Sequence, residues 1–350
     1  MFGAFIHKGA GILKIGKISE SILKRSVLKQ IKTKRNEILI GAGIGEDCAI
    51  LSLKEDEVVV LSTDPITGTT KDIGELCIHV TINDIASSGA EPIGVLLTIL
   101  LPPESEEATL KEIMISAQKA CTNLGIQIAG GHTEVTDAVN QPIITVTGIG
   151  KVKRSAYLKT ANAKPGQDIV VSKYIGLEGT SILAKSYPEL LEKFPQTFIR
   201  NAAALDRCLS VVPEAVVAVK TGVSAMHDIT EGGIFGALWE MAEGSRVGLE
   251  VDLKKIPIRQ ETVEICNYFD LNPYLLMSSG SMLMVTDKGP ELVKNLIKEN
   301  IQAAIIGKIT SGNDRVILND DEKRFLEPPK SDELYKVREK NCERKNTENH

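Results

Sequence analysis

Five segments of the chain set carboxylates beside glycine or hydroxyl residues, each next to an apolar, strand-like run: GAGIGED (Gly41 to Asp47), STDPITG (Ser62 to Gly68), INDIASSGA (Ile82 to Ala90), AGGHTEVTD (Ala129 to Asp137) and HDITEGG (His227 to Gly233). Hard oxygen ligands in this company suit Mg²⁺ carrying a nucleotide's phosphates, because Mg²⁺ keeps several waters and takes only one or two protein carboxylates. The glycines of GAGIGED allow close backbone approach and unusual dihedrals, and Glu46 and Asp47 can face a metal. AGGHTEVTD offers backbone N–H groups for an anion nest, while His132 or Glu134 can move a proton or bind metal. HDITEGG puts Asp228 and Thr230 just before a helix start, where the positive end of the macrodipole favours phosphate. Each segment also has a plainer reading. GAGIGED can be a hairpin turn, Asp64 before Pro65 a turn residue, Asp84 an exposed helix carboxylate, His132 a structural imidazole, and Asp228 with Thr230 an ordinary cap. Neither GxxxxGK[ST] nor GxGxxG occurs, so phosphate binding here needs a device other than a P-loop or a Rossmann turn.

The elements that must hold these residues are legible in the apolar pattern. Ser19 to Arg35 predicts an amphipathic helix with Ser19 as N-cap, and Val58 to Leu61 a short strand delivering Thr63 and Asp64 at its end. Gly74 to Ser88 predicts a helix carrying Asp84 on the face opposite Leu76 and Val80 and closed by Gly89; Ile93 to Leu101 predicts a central strand. A helix over Ser105 to Leu124, a short strand Ile126 to Ala129, a turn through GGHTEVTD and a strand Pro142 to Ile149 follow. The polar stretch Lys151 to Gln167, ending in Pro165-Gly166, separates a first domain (1–155) from a second (166–325). The second domain reads as strands at Asp168 to Ser172, Ser224 to His227, Gly248 to Leu253, Ser281 to Thr286, Ala303 to Ile309 and Arg315 to Leu318. Helical stretches lie between them, interrupted at Pro188, Pro195 and Pro213. Short strands and helices mixed in both halves predict an α+β or α/β fold with mixed sheets. The charged tail 326–350 is expected to be mobile in its last part.

Composition narrows the function. A 350-residue chain exceeds what one core usually serves, and its 43% hydrophobic and 25% charged residues are ordinary globular material. A formal net charge of -5 argues against nucleic-acid binding, which normally shows a basic stripe. The one basic stretch, Lys24 to Arg35, alternates with apolar residues and reads as a solvated helix face. Six cysteines without a CxxC pair speak against zinc knuckles and a disulfide framework, and fit a reducing, cytoplasmic setting. No apolar run approaches the ~18 residues of a membrane helix, so a soluble protein is expected.

GIGEDCAIL, STDPITG, INDIASSGAEPIG, GGHTEV and HDITEGGIFGAL occur in the order and at about the spacing of the aminoimidazole ribonucleotide (AIR) synthase superfamily, which the chain resembles from Gly16 to Asn319. That superfamily includes thiamine-monophosphate kinase, selenophosphate synthetase and the hydrogenase maturation factor HypE; the second half, notably MHDITEGGIFGALWEMAEGS and NPYLLMSSGSMLMV, looks closest to HypE. The resemblance implies a two-domain α+β homodimer whose N-terminal domains pair their sheets into a barrel, with ATP and Mg²⁺ bound in a cleft. It implies Asp47, Asp64, Asp84 and Asp228 as metal ligands, and Gly45, Thr63, Gly130, Gly131, Thr133, Thr230 and Gly232 near the nucleotide. His132 and Glu134 remain the candidate catalytic pair. The implied chemistry is phosphorylation of an acceptor oxygen, of a small molecule or a carbamoyl-type group, with a maturation protein as a further partner. Clustered carboxylates repel one another without cations, so metal is expected to be needed before ATP settles. The chain departs from HypE in placing Cys342 eight residues before its last residue instead of a terminal cysteine, and Glu231 where HypE has Arg. A non-catalytic nucleotide-binding partner and a small-molecule kinase are the alternatives these departures leave open.

Overall fold

The structure, a computed structural model, describes residues 12–44, 48–67, 73–328 and 331–337. Two compact units emerge: Met1–Ile85 with Ala90–Ser155, and Ala86–Gly89 with Ala156–His350.

The first unit contains β1 (Gly16–Lys17), α1 (Glu20–Ile22), β2 (Ile38–Ile40), β3 (Ile50–Leu51), β4 (Glu57–Thr67), α2 (Ile73–Ser87), β5 (Glu91–Leu101), α3 (Glu107–Leu124), β6 (Gln127–Val135) and β7 (Ile143–Lys153). Its main sheet has the order β1-β6-β5-β7-β4. β5 and β6 run parallel, and every other pair is antiparallel. Period-two alternation turns Val95, Leu97 and Ile99 of β5 and Ile144 and Val146 of β7 into a core shared with Cys77, Ile78, Ile82 and Ile85 of α2 and Leu110, Met114 and Cys121 of α3. The other face is more open: on β4, Val59 is 46% and Leu61 62% exposed.

The helix expected over Ser19 to Arg35 ends at Gln30: α1 is three residues long, Leu23–Val27 is π-helical and Leu28–Gln30 is 3-10. Beyond it the chain's amides are taken by side chains, Lys32 N–H by Gln118 (3.0 Å) and Arg35 N–H by Gln127 (2.7 Å), so helical bonds are replaced. Ser19 stands at the N-cap position, but its hydroxyl pairs with that of Ser21 instead of capping. β4 is far longer than Val58 to Leu61, because it pairs with β7 from Glu57↔Lys153 to Thr67↔Ile143. Pro65 is tolerated there because β4 is an edge strand. GGHTEV is strand as well: β6 pairs with β5 from Gly94↔Gln127 to Leu101↔Val135, with one irregularity at Ala129. On α2, Cys77, Ile78, Thr81, Ile82 and Ile85 are buried whereas Leu76 and Val80 are half-buried, so Asp84 is not opposite the core face.

The second unit contains β8 (Asp168–Ser172), α4 (Leu177–Ser186), α5 (Leu190–Lys193), α6 (Gln196–Ala203), α7 (Val212–Thr221), β9 (Ala225–Ile229), α8 (Gly233–Ser245), β10 (Gly248–Asp252), α9 (Gln260–Phe269), β11 (Ser281–Thr286), α10 (Gly289–Lys298), β12 (Ala303–Thr310), β13 (Arg315–Asn319) and β14 (Glu322–Phe325). The sheet order is β14-β13-β10-β12-β8-β11-β9, with only β10 and β13 parallel. Both faces are covered, which is why the inner strands are continuously apolar. Ile169, Val171, Leu283 and Val285 pack with Ile234, Leu238 and Met241 of α8, whereas Val170, Met282 and Met284 pack with Ala215, Ala218, Leu292 and Leu296 of α7 and α10. A third cluster joins Leu183, Ile199 and Ile265 of α4, α6 and α9 to Leu334 and Val337. Part of the tail is therefore anchored, contrary to its charged composition; Cys342 lies outside the described residues. β14, with the sequence EKRF and every residue exposed, has no apolar alternation to betray it. No described helix is long and apolar enough to cross a membrane.

Candidate functional site

In the first unit, strand register sorts the expected site residues onto two faces. Thr63 lies opposite Thr147, Pro65 opposite Thr145, Thr145 opposite Thr98 and Thr98 opposite His132. Thr63, Thr98, Thr145, Thr147, His132 and Glu134 therefore share the open face, in rows that cross the sheet. Thr63 and Thr147 hydroxyls lie 3.2 Å apart, and His132 Nε2 is 3.1 Å from Glu134 Oε2. Spacing of two on one strand makes that imidazole–carboxylate pair possible; a turn would not have fixed it.

Asp64 points to the other face, toward α2. Ser62, two residues earlier, donates its hydroxyl to Asp84 Oδ2 at 2.5 Å, so β4 and α2 bring both expected metal ligands to one side of the sheet. Asp64 Oδ2 is buried without a hydrogen-bond partner among the described residues. A carboxylate oxygen in that condition is costly unless a cation or water satisfies it, which fits a hard divalent ion. Among the described residues no three His, Cys, Asp or Glu side chains converge as a metal site, and Gly45, Glu46 and Asp47 lie outside them.

Thr133, buried, faces inward between His132 and Glu134. Gly131 has φ 146°, and a Cβ there would come within 1.9 Å of the Leu97 carbonyl oxygen. Its glycine is thus demanded by the neighbouring strand, a reason that the sequence reading, which looked to a ligand, missed. Gly130 to Thr133 border a cavity of about 310 Å³ whose other walls include Ile18, Leu23, Val27, Ile99 and Met114. The π-helical turn Leu23–Val27 forms part of that wall.

In the second unit, Asp228 is buried near the end of β9. His227 beside it places Nε2 3.0 Å from Glu240 and Nδ1 2.7 Å from the Asp228 carbonyl oxygen. Burial alone would lower its pKa, but the bond to Glu240 and the charges of Asp228 and Glu240 outweigh burial and raise it. Thr230 closes the turn into α8 by accepting Gly233 N–H on its carbonyl (3.1 Å). Gly232 and Gly233 have φ of 81° and 61°, and a Cβ on Gly233 would meet the Tyr274 carbonyl oxygen at 2.6 Å.

The Gly232 N–H, expected near a nucleotide, donates to Asp332 Oδ2 at 2.8 Å. Asp332 is completely buried and also accepts from Leu334 N–H at 2.9 Å. Nearby Glu178 is buried, its carboxyl pushed up to about 7 by desolvation, with Ser279 bonds opposing and the Asp332 charge adding to the rise. Neither acid carried a signal in the sequence: one sits in a charged tail, the other in the first turn of a helix, where acids are commonplace.

Family models for AIR synthase related proteins match this chain over two stretches, the N-terminal domain at residues 45–152 and the C-terminal domain at residues 164–319. A Methanocaldococcus jannaschii protein assigned provisionally to hydrogenase expression and formation is 30% identical over 318 residues, 89% of this chain and 92% of that protein. The chain belongs to the AIR synthase related family. Within the family, the carbamoyl dehydratase HypE of Rhizobium leguminosarum bv. viciae is 30% identical over 72% of this chain and 74% of its own. Among solved structures, the hydrogenase maturation protein HypE in complex with ATP superposes with a TM-score of 0.76 at 22% identity, covering 91% of this chain and 97% of that one. The AIR synthase related fold is thereby shared over nearly the whole length.

Proposed function

We propose that the chain is an ATP- and Mg²⁺-dependent enzyme that phosphorylates an oxygen of an amide- or carbamoyl-type acceptor, as a HypE-like member of its family. The observation carrying this reading is the unpartnered, buried Asp64 Oδ2 on the same side of the sheet as Asp84. Family membership, and relatives named for carbamoyl dehydration and bound to ATP, support the nucleotide and the acceptor class.

In this reading Asp64 and Asp84, with Asp47, hold Mg²⁺, which when bound would neutralise charge developing on the phosphate oxygens, and Asp228 is the candidate metal-binding carboxylate of the second unit. Thr63, Gly130, Gly131 and Thr133, with Gly45, are the candidate nucleotide contacts of the first unit, and Thr230 and Gly232 those of the second, where the Gly232 N–H already donates to Asp332. His132 and Glu134 pair on the open face, opposite the side of the sheet that carries Asp64 and Asp84, so in this reading they do not touch a phosphate held at those carboxylates. Positioning and electrostatics supply most of the acceleration. The exposed Val59 and Leu61 support a homodimer that pairs the open sheet faces into a barrel. A maturation protein is the further partner in this reading.

Calorimetric titration of ATP with and without Mg²⁺, on the wild type and on Asp64→Asn and Asp84→Asn, tests it. Mg²⁺-dependent binding that both substitutions weaken is expected; metal-independent binding indifferent to both would remove the assignment.

A further inference from the structure

A second cavity, of about 410 Å³, is lined by described residues of the second unit and includes none of the residues proposed above to hold ATP or metal. One wall is aromatic: Phe235 in the first turn of α8 stacks on Tyr274, with ring centroids 5.2 Å apart and planes 12° from parallel. Ile317 of β13, Leu253 and Leu326 add apolar surface.

The loop that carries Tyr274 is fastened at several points. Asn272 Oδ1 accepts Tyr274 N–H at 3.1 Å, Asn272 N–H donates to Glu333 Oε2 at 3.1 Å, and Gly233 lets the loop backbone press against the start of α8. The cavity is therefore framed before any ligand enters, which spares a ligand the ordering cost.

Three polar groups on its lining are unused. The Tyr274 hydroxyl, the Asn272 side-chain NH₂ and the Asn319 carboxamide make no hydrogen bond to any described residue, and partial burial raises the Tyr274 pKa. All three residues are uncharged, and between them they can both donate and accept. The charged residues of the lining are Arg324, 75% exposed and paired with Glu322, and Glu327, itself exposed. A purely hydrocarbon ligand would strip water from the three polar groups without replacing it, and an anion would find the only cation among the described lining residues already paired at the surface. A flat ring with nitrogen donors and acceptors on its edge satisfies both the aromatic wall and the amides.

We propose that this cavity binds a neutral, flat nitrogen-heteroaromatic ring of pyrimidine or purine size, lying against the Phe235–Tyr274 wall and hydrogen-bonded by Asn272, Asn319 and the Tyr274 hydroxyl. The inference is independent of the ATP reading, because its probes carry no phosphate and need no metal.

The test is saturation-transfer NMR titration of the full chain with free adenine and free cytosine, with toluene as a ring lacking polar edges. Tyr274→Phe keeps the stacked ring and removes one hydroxyl, and Asn319→Ala changes one side chain near the end of β13; circular dichroism checks that both fold. Saturable binding of at least one base, weakened roughly tenfold by each substitution and stronger than that of toluene, is expected. Absence of binding by both bases overturns the proposal. Binding that survives both substitutions places the base elsewhere on the chain and overturns it too, as does toluene binding equally well.

Discussion

Glu178 is closed off from solvent with Oε2 unpaired, and its carboxyl has moved from 4.5 to about 7. The folded chain therefore holds a proton that the unfolded chain releases between those two values. Stability falls as pH rises across that window, by roughly 3 kcal/mol if the whole shift is expressed. Glu178→Gln should flatten this slope, measured by urea denaturation from pH 4.5 to 8. His227 acts in the same direction: its raised pKa gives stability that is complete below its unfolded value and lost as pH rises through the folded one. Glu37, lowered to about 2 chiefly by its bonds to Arg35, opposes them at the acid end, since its contribution is lost as pH falls from 4.5 toward 2. At the candidate site, Asp64→Asn should lower phosphoryl turnover by about a hundredfold or more, whereas His132→Ala on the open face should leave it within a few-fold, checked by steady-state kinetics beside calorimetry. The candidate carboxylates and glycines stand out by residue type beside apolar runs. The buried acids do not, because a Glu in a first helical turn and an Asp in a charged tail look solvated until tertiary packing closes over them.

Elements were legible wherever a period was strong. Asp168–Ser172 and Ser281–Thr286 match their expected spans, and α3 stops at Gly125, whose φ is 66°. What failed were stretches in which long-range pairing overrides local chemistry. GGHTEV and STDPIT carry turn residues, yet β5 and β7 offer complete ladders, and unpaired backbone costs more than poor propensity. Gly131→Ala tests this inside β6: with φ at 146° and the Leu97 carbonyl in the way, it should cost about 2 kcal/mol or more. A comparable constraint lies between β8 and α4. Lys173, at φ 51°, donates to the carbonyls of Cys208 (2.9 Å), Ser210 (2.7 Å) and Gly280 (2.9 Å). Its ammonium lies 2.6 Å from Glu214, which is fully buried. With its protons spent on carbonyls, Lys173 compensates Glu214 mainly by charge. Lys173→Met should leave an uncompensated buried carboxyl and three carbonyls without their donor, and lower stability by about 3–5 kcal/mol; adding Glu214→Leu should recover only the part due to the carboxyl.

At the scale of the molecule, the open face of the five-stranded sheet is where the proposed dimer would be broken. Leu61→Glu puts a charge on a side chain that is 62% exposed, so the isolated unit should fold normally while light scattering shows monomer in place of dimer. A dimer that persists would assign pairing to another surface.

The tie between Gly232 and Asp332 spans one hundred positions of sequence. On a chain made from its amino end, the start of α8 emerges long before the carboxylate that receives its N–H. Leu334 and Val337, which complete the cluster with Leu183 and Ile265, also arrive late. Until then that N–H and that apolar surface stay open to water and to chaperones, so the second unit should reach protease resistance only after residue 337 has left the ribosome. Such distant closure is slow by nature, since the entropy of a long loop is lost before its contacts form.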